Sequence, residues 1–125
     1  MKRILLIEDD AQLRECMVEI VRQEGYDTLC ASSVEDGLMI ARAAAPDLMF
    51  LDMQLAEGDG YSLLELIRQD DKIAHVPVVV MTGRNDAEIL RRGKELGVAD
   101  YLFKPFTLSS LVTMIQQRFG MAAVH

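Results

Sequence analysis

What most constrains this chain is an alternation: a short apolar run, then a longer stretch with helical spacing, five times over. The apolar runs are Ile4 to Ile7, Thr28 to Ala31, Leu48 to Leu51, Val78 to Met81 and Tyr101 to Phe103. Runs this short, three of them rich in Ile, Leu and Val, suit strands covered on both faces. Between them, Ala11 to Glu24 sets Leu13, Met17, Ile20 and Val21 in a three-to-four rhythm that Gly25 stops. Val34 to Ala45 carries Leu38, Ala41 and Ala45 ahead of Pro46, and Ser32 with Glu35 is spaced as a capping box. Tyr61 to Gln69 carries Leu63, Leu64 and Ile67. Asp86 to Leu96 carries Ile89, Leu90 and Gly93, with Gly97 as the stop. Leu108 to Phe119 carries Leu111, Val112, Ile115 and Phe119, with Thr107 as the cap. Right-handed crossovers turn this order into an α/β, doubly wound, parallel sheet flanked by helices on both faces.

The 125 residues show no repeat, low-complexity tract or linker, so one domain over 1–125 is the expectation. Half of the residues are hydrophobic and 26% charged, which excludes a disordered chain. No unbroken apolar run exceeds four residues, far short of the ~20 that cross a bilayer, so no membrane partner is expected. Met1 leads through Lys2 and Arg3 into a short apolar run that ends in acids, which is no signal-peptide pattern; the expected location is the cytoplasm. Thirteen basic against twenty acidic residues give a net charge of -7, which argues against direct nucleic-acid binding by this chain. Cys16 and Cys30 form no metal-type or redox-type pair and read as buried or half-buried small hydrophobes.

Open parallel sheets bind ligands beyond the carboxyl ends of their strands. There the sequence places Glu8, Asp9 and Asp10 after the first run, Asp52 after the third, Thr82 and Gly83 after the fourth, and Lys104 and Pro105 after the fifth. If the first and third strands are neighbours, three or four carboxylates converge. Two carboxylates ~5 Å apart repel by about 3 kcal/mol at an effective dielectric of ~20, so the cluster must take up a proton or a cation. All-oxygen ligands favour a hard cation such as Mg²⁺, which keeps open positions for phosphate oxygens. Thr82 and Lys104 add donors for a phosphoryl group, and Asp52 is placed to be the carboxylate nucleophile.

These residues, in this order, resemble the receiver domain of the response-regulator family of two-component signalling, over nearly the whole chain. The matching stretches are Lys2 to Asp10, Pro46 to Asp52, Asp59-Gly60, Pro77 to Gly83, and Gly97 to Phe106. The resemblance implies a five-stranded, flavodoxin-like sheet of order 2-1-3-4-5 with five helices. It implies that Asp52 accepts phosphate from the phosphohistidine of a histidine kinase or a histidine phosphotransfer protein. Asp9, Asp52 and the backbone carbonyl of Gln54 would ligate Mg²⁺ (Mn²⁺ can substitute), and Glu8 would do so through water. Thr82 and Lys104 would contact the phosphoryl group, beside a cis Lys104–Pro105 peptide. Tyr101 would be the aromatic switch that follows Thr82 inward and remodels the face of the fourth helix, fifth strand and fifth helix. That face would serve a downstream protein, an attached output domain or a phosphorylation-dependent homodimer. Ala56 departs from the family, which often has Pro there, and the loop from Leu55 to Gly60 is expected to be more mobile.

Plainer readings stand beside these. Asp10 is as well suited to cap the first helix as to line the pocket, and the strand register favours Glu8 and Asp9 as the acid pair. Thr82 alone suits a strand, and Tyr101 alone a half-buried strand aromatic. Arg91, Arg92 and Lys94 read as a solvated face with a docking role as the alternative, and His75 as a loop residue. Gln54 and Arg84, two positions beyond Asp52 and Thr82, are expected to screen an acyl phosphate from water.

Rival functions fare worse. A phosphatase with a DxD motif would want an acid where Gln54 stands, and a flavin domain would not follow its first strand with three acids. A non-phosphorylated interaction domain usually lacks a pocket residue, and none is missing. The expected class is thus a signalling module and not an enzyme with a separate substrate. With few residues after the fifth helix, either a stand-alone regulator or the receiver of a longer protein fits.

Overall fold

The computed structural model describes residues 2–54 and 60–120; the loop expectations for Leu55 to Asp59 and the tail beyond Gly120 lie outside them. Ten elements alternate: β1 Arg3–Ile7, α1 Ala11–Gln23, β2 Asp27–Ala31, α2 Val34–Ala44, β3 Leu48–Asp52, α3 Gly60–Gln69, β4 Val78–Thr82, α4 Ala87–Glu95, β5 Asp100–Phe103 and α5 Leu108–Phe119. The five strands pair in parallel in the order β2-β1-β3-β4-β5, the expected doubly wound topology.

Side-chain alternation along each strand divides the interior into two layers. Leu5, Ile7, Met49, Leu51, Val78 and Val80 face Ala41 of α2 and Leu63, Leu64 and Ile67 of α3. Ile4, Leu6, Leu48, Phe50, Val79, Met81 and Leu102 face Met17 and Val21 of α1 and Leu111 and Ile115 of α5. β3 and β4 are buried at every position, which is why their sequences are continuous apolar runs. The same parity, continued past the strand ends, has a consequence for the charged residues. Glu8, Asp52 and Lys104 share the α1/α5 side with Leu6, Phe50 and Leu102, while Thr82 and Tyr101 share the opposite side with Val80.

The structure amends several local expectations. Ser33, not Ser32, caps α2, its hydroxyl accepting from the Asp36 N–H at 3.2 Å. Asp86 stands outside α4 as its cap instead of opening the helix. α2 ends one residue early because Ala45 turns left-handed at φ 46°. Cys16 and Cys30 are exposed, not buried. Cys16 lies on the outer side of α1, and Cys30 on β2, an edge strand with one neighbour.

A carboxylate cluster at the carboxyl ends of the strands

The chain leaves β1 toward β2 on one side and later returns to place β3 on the other, so the crevice between β1 and β3 is the switch point of the sheet. Glu8 and Asp9 follow β1 there, and Asp52 ends β3. Among the described residues the buried polar side chains are Glu8, Asp52 and Thr82, each 1% exposed, and all stand at this end. Glu8, Asp9 and Asp52 each offer a carboxylate oxygen, and these atoms lie within 4.8 Å of one another. The expected cluster therefore exists.

Lys104 reaches into it from the β5–α5 junction, its Nζ 2.9 Å from Glu8 Oε1 and 3.2 Å from Asp52 Oδ2. One ammonium against three carboxylates leaves the pocket short of positive charge. Burial, then a hydrogen bond shared with Asp52, pushes the Glu8 pKa up to about 7, against the opposing bonds from Lys104 and the Asp10 N–H. Burial pulls the Lys104 ammonium down, but its bond to Glu8 and the charge of Asp52 outweigh that and hold it above its ordinary value. The proton on Glu8 is the answer the protein alone can give to crowded acids. A divalent cation is the other, and an all-oxygen donor set without His or Cys fits a hard ion such as Mg²⁺.

Each side chain is held by local geometry. Asp52 Oδ1 accepts the Gln54 N–H at 2.9 Å, which leaves Oδ2 turned toward Lys104. Asp10 caps α1, its Oδ1 accepting from the N–H groups of Gln12 and Leu13 at 3.0 and 3.2 Å. This assigns the acid pair to Glu8 and Asp9. Thr82 Oγ1 accepts the Arg84 N–H at 3.1 Å, so its own proton is available to a ligand. The Lys104–Pro105 peptide is cis. Tyr101 stands apart from the cluster on the other side of the sheet, its hydroxyl donating toward the Leu90 and Ile89 carbonyls of α4 at 3.3 and 3.4 Å.

The expected screening pair divides. Gln54 is exposed beside Gly83, its amide oxygen 3.8 Å from where a Cβ on that glycine would stand, so it spans from β3 toward β4. Arg84 instead folds onto Asp86, with contacts of 2.7 and 2.9 Å. The basic cluster on α4 also divides: Arg91 pairs with Glu95 at 2.8 Å, Arg92 lies 3.7 Å over the Tyr61 ring, and Lys94 is exposed. His75 is an exposed turn residue, as expected.

Two contributors escaped the sequence reading. Arg14 Nη1 donates to the Glu8 carbonyl at 2.8 Å and so braces the turn that carries the acids; its position on α1, one turn after Asp10, was the available signal. Gly93 is the other: the sequence marks it as a face position of α4, with no sign that it stands against Tyr101.

Comparison with known proteins agrees with this geometry. A family model described as the response regulator receiver domain matches residues 4–116. The phosphate regulon transcriptional regulatory protein PhoB of Klebsiella pneumoniae is 33% identical over 115 residues, covering 92% of this chain and 50% of that protein. The chain thus spans about half the length of the curated relatives it matches. Among solved structures, chemotaxis protein CheY4 of Vibrio cholerae superposes with a TM-score of 0.89 at 22% identity, covering 94% of this chain and 98% of that one, and shows the fold. The receiver domain of a sensor histidine kinase from Pseudomonas aeruginosa, crystallised with magnesium coordinated in its active-site cleft, superposes with a TM-score of 0.85 at 26% identity, covering 95% and 98%. With the sheet order, the strand-end acids and the family model in agreement, this chain belongs to the response-regulator receiver domains.

Proposed function

We propose that this domain is a phosphoacceptor signalling module in which Asp52 takes a phosphoryl group from the phosphohistidine of a histidine kinase or histidine phosphotransfer protein. The observation that carries this reading is the buried Asp52 carboxylate, held among Glu8 and Asp9 with Lys104 3.2 Å away. An Asp52 oxygen attacks phosphorus, the P–N bond to the donor imidazole breaks, and the imidazole leaves with its electron pair. The Gln54 N–H fixes one Asp52 oxygen and so presents the other. The Lys104 ammonium and the free proton of the Thr82 hydroxyl are the donors for the phosphoryl oxygens that gain charge in the transition state. Asp9, Asp52 and the Gln54 carbonyl would hold Mg²⁺, with Glu8 acting through water; the bound ion would neutralise charge between the acids and the incoming phosphoryl group.

The domain assists its own phosphorylation and dephosphorylation and turns over no separate substrate, in the cytoplasm. No helix among the described residues is long and apolar enough to cross a membrane. A phosphoryl group beside Thr82 biases Tyr101 and, through it, the surface of α4, β5 and α5, where a downstream protein, an output domain or a second copy would dock. Leu90, Phe103 and Leu108, all exposed, give that surface its apolar character. The relatives named as DNA-binding regulators are about twice as long, which supports an output domain in place of direct DNA contact by this acidic chain.

Incubation with Mg²⁺ and acetyl phosphate, followed by intact mass measurement, tests the reading. The expected gain is about 80 Da, lost with Asp52→Ala and with removal of the metal. No adduct in the unaltered chain would leave a non-phosphorylated interaction domain.

A further inference from the structure

Gly93 has no backbone reason to be glycine. It lies in the last turn of α4 but is neither of the caps, which are Asp86 and Leu96, and its φ is not in the left-handed region. Glycine weakens a helix there, because it surrenders more backbone freedom than alanine would. The reason is instead a close approach. A Cβ at 93 would stand 1.6 Å from the Tyr101 hydroxyl oxygen, 2.7 Å from Cζ and 3.3 Å from Cε1. The tip of the phenol occupies the space that any side chain at 93 would fill. There it meets the Ile89 and Leu90 carbonyls one turn earlier in the same helix.

The other end of the ring leads toward the pocket. Tyr101 stacks on Phe103 with ring centroids 5.7 Å apart and planes 4° from parallel. Phe103 is the cross-strand partner of Thr82. Strand register thus sets the buried threonine beside Phe103, and the stacked rings lead from there into a notch in α4.

We infer that Gly93 is a positioning residue for Tyr101: its missing side chain is the seat of the ring, and α4 senses whether that seat is filled. Filling the notch with a methyl group expels the ring toward solvent and removes the tucked state. The inference rests on the proposed phosphoacceptor reading only where the ring's movement is tied to phosphate; the notch itself is a packing statement.

A double-mutant cycle separates the two. Melting temperatures are measured for the full chain and for Gly93→Ala, Tyr101→Ala and the double variant. With the ring gone, alanine at 93 is expected to raise the melting temperature, as a better helix former; with the ring present the same change is expected to lower it or leave it flat. An equal shift in both backgrounds would overturn the inference. Fluorotyrosine labelling gives a second readout, the Tyr101 resonance being assigned through Tyr101→Phe. In Gly93→Ala it should move to a solvent-exposed position and stop responding to Mg²⁺ with acetyl phosphate, while the mass adduct on Asp52 persists. An unmoved resonance would equally refute the notch. A non-additive cycle with no adduct in any variant would keep the notch and remove the phosphoacceptor reading.

Discussion

The two ends of the sheet hold buried charge in opposite ways. At the carboxyl ends, Glu8, Asp9 and Asp52 crowd together with Lys104 bridging Glu8 and Asp52, and one acid is driven toward protonation. At the other edge, where β4 and β5 begin, Arg68 reaches out from the last turn of α3. Its guanidinium donates to the carbonyls of Leu96 at 2.9 Å, Gly97 at 3.0 Å, Ala74 at 2.9 Å and Val76 at 3.0 Å. Among the described residues no acid takes part, and the planar fork is matched by orphan carbonyls at the end of α4 and in the turn before β4. Neutral partners saturate one charge; charged neighbours leave the other group unsatisfied. Strain therefore collects where chemistry is expected, and the fold is fastened at the far edge.

The largest test of that contrast is Arg68→Ala. It frees four carbonyls in a half-buried junction and unties α3 from the end of α4, and the expected loss is about 3 kcal/mol in urea unfolding. Arg68→Lys should recover little, since an ammonium cannot span four acceptors as a fork. A loss under about 1 kcal/mol would mean that the far edge is held by packing alone.

The acidic end should respond to pH in the reverse sense from an ordinary paired carboxylate. Glu8 rises from 4.5 in a free chain to about 7 in the fold, so between those values the folded protein keeps a proton that the unfolded chain has lost. That stabilisation is complete below about 4.5 and disappears as pH rises through 7. In metal-free protein, the Glu8-dependent part of stability should fall by roughly 2–3 kcal/mol from pH 5 to pH 8. Glu8→Gln should flatten that slope, and so should saturating Mg²⁺, which takes over the proton's role. Asp52→Asn should stabilise the metal-free protein at pH 8 by about 1 kcal/mol, because it removes one of the repelling charges while keeping the shape. Chemical denaturation at several pH values measures all three. A slope of opposite sign would mean that Lys104 alone balances the pocket.

Which of these features the sequence exposes depends on what makes them. The strands, their order and the strand-end acids follow from patterns of side-chain type, and these are written residue by residue. Thr82 and Lys104 become meaningful because parallel strands end together, so residues from 8 to 104 can be aligned without coordinates. Arg68 gave no such signal. Its partners are backbone carbonyls as far as 29 positions away, and a carbonyl has no sequence identity. The Tyr101 notch was hidden for a related reason, since Gly93 matters through an atom it lacks. Ser32 and Ser33 differ only in backbone angle, which decides the cap and is not encoded in a pair of identical residues. The exposure of Cys30 follows from the edge position of β2, which becomes visible only with the strand order, and that of Cys16 from its place on the outer side of α1.

The smallest expected effect lies at the mouth of the acidic end, where Gln54 and Arg84 occupy equivalent positions and behave differently. Both are long enough to shield a phosphoryl group on Asp52 from water. Gln54 spans toward Gly83, across the gap between β3 and β4. Arg84 is drawn off by Asp86, which caps α4 and binds the guanidinium with the same carboxylate. Gln54→Ala should therefore shorten the life of the Asp52 phosphate about three-fold, a barrier change of roughly 0.6 kcal/mol. Arg84→Ala should change it by less than about two-fold. Asp86→Asn should loosen Arg84 and lengthen the life of the phosphate in a chain that keeps Arg84, with no effect once Arg84 is alanine. Loss of the adduct followed by intact mass gives all of these rates. Equal effects of Gln54→Ala and Arg84→Ala would mean that the Arg84–Asp86 pair opens in the phosphorylated protein, and that the exposed acid does not compete for the arginine once phosphate is present.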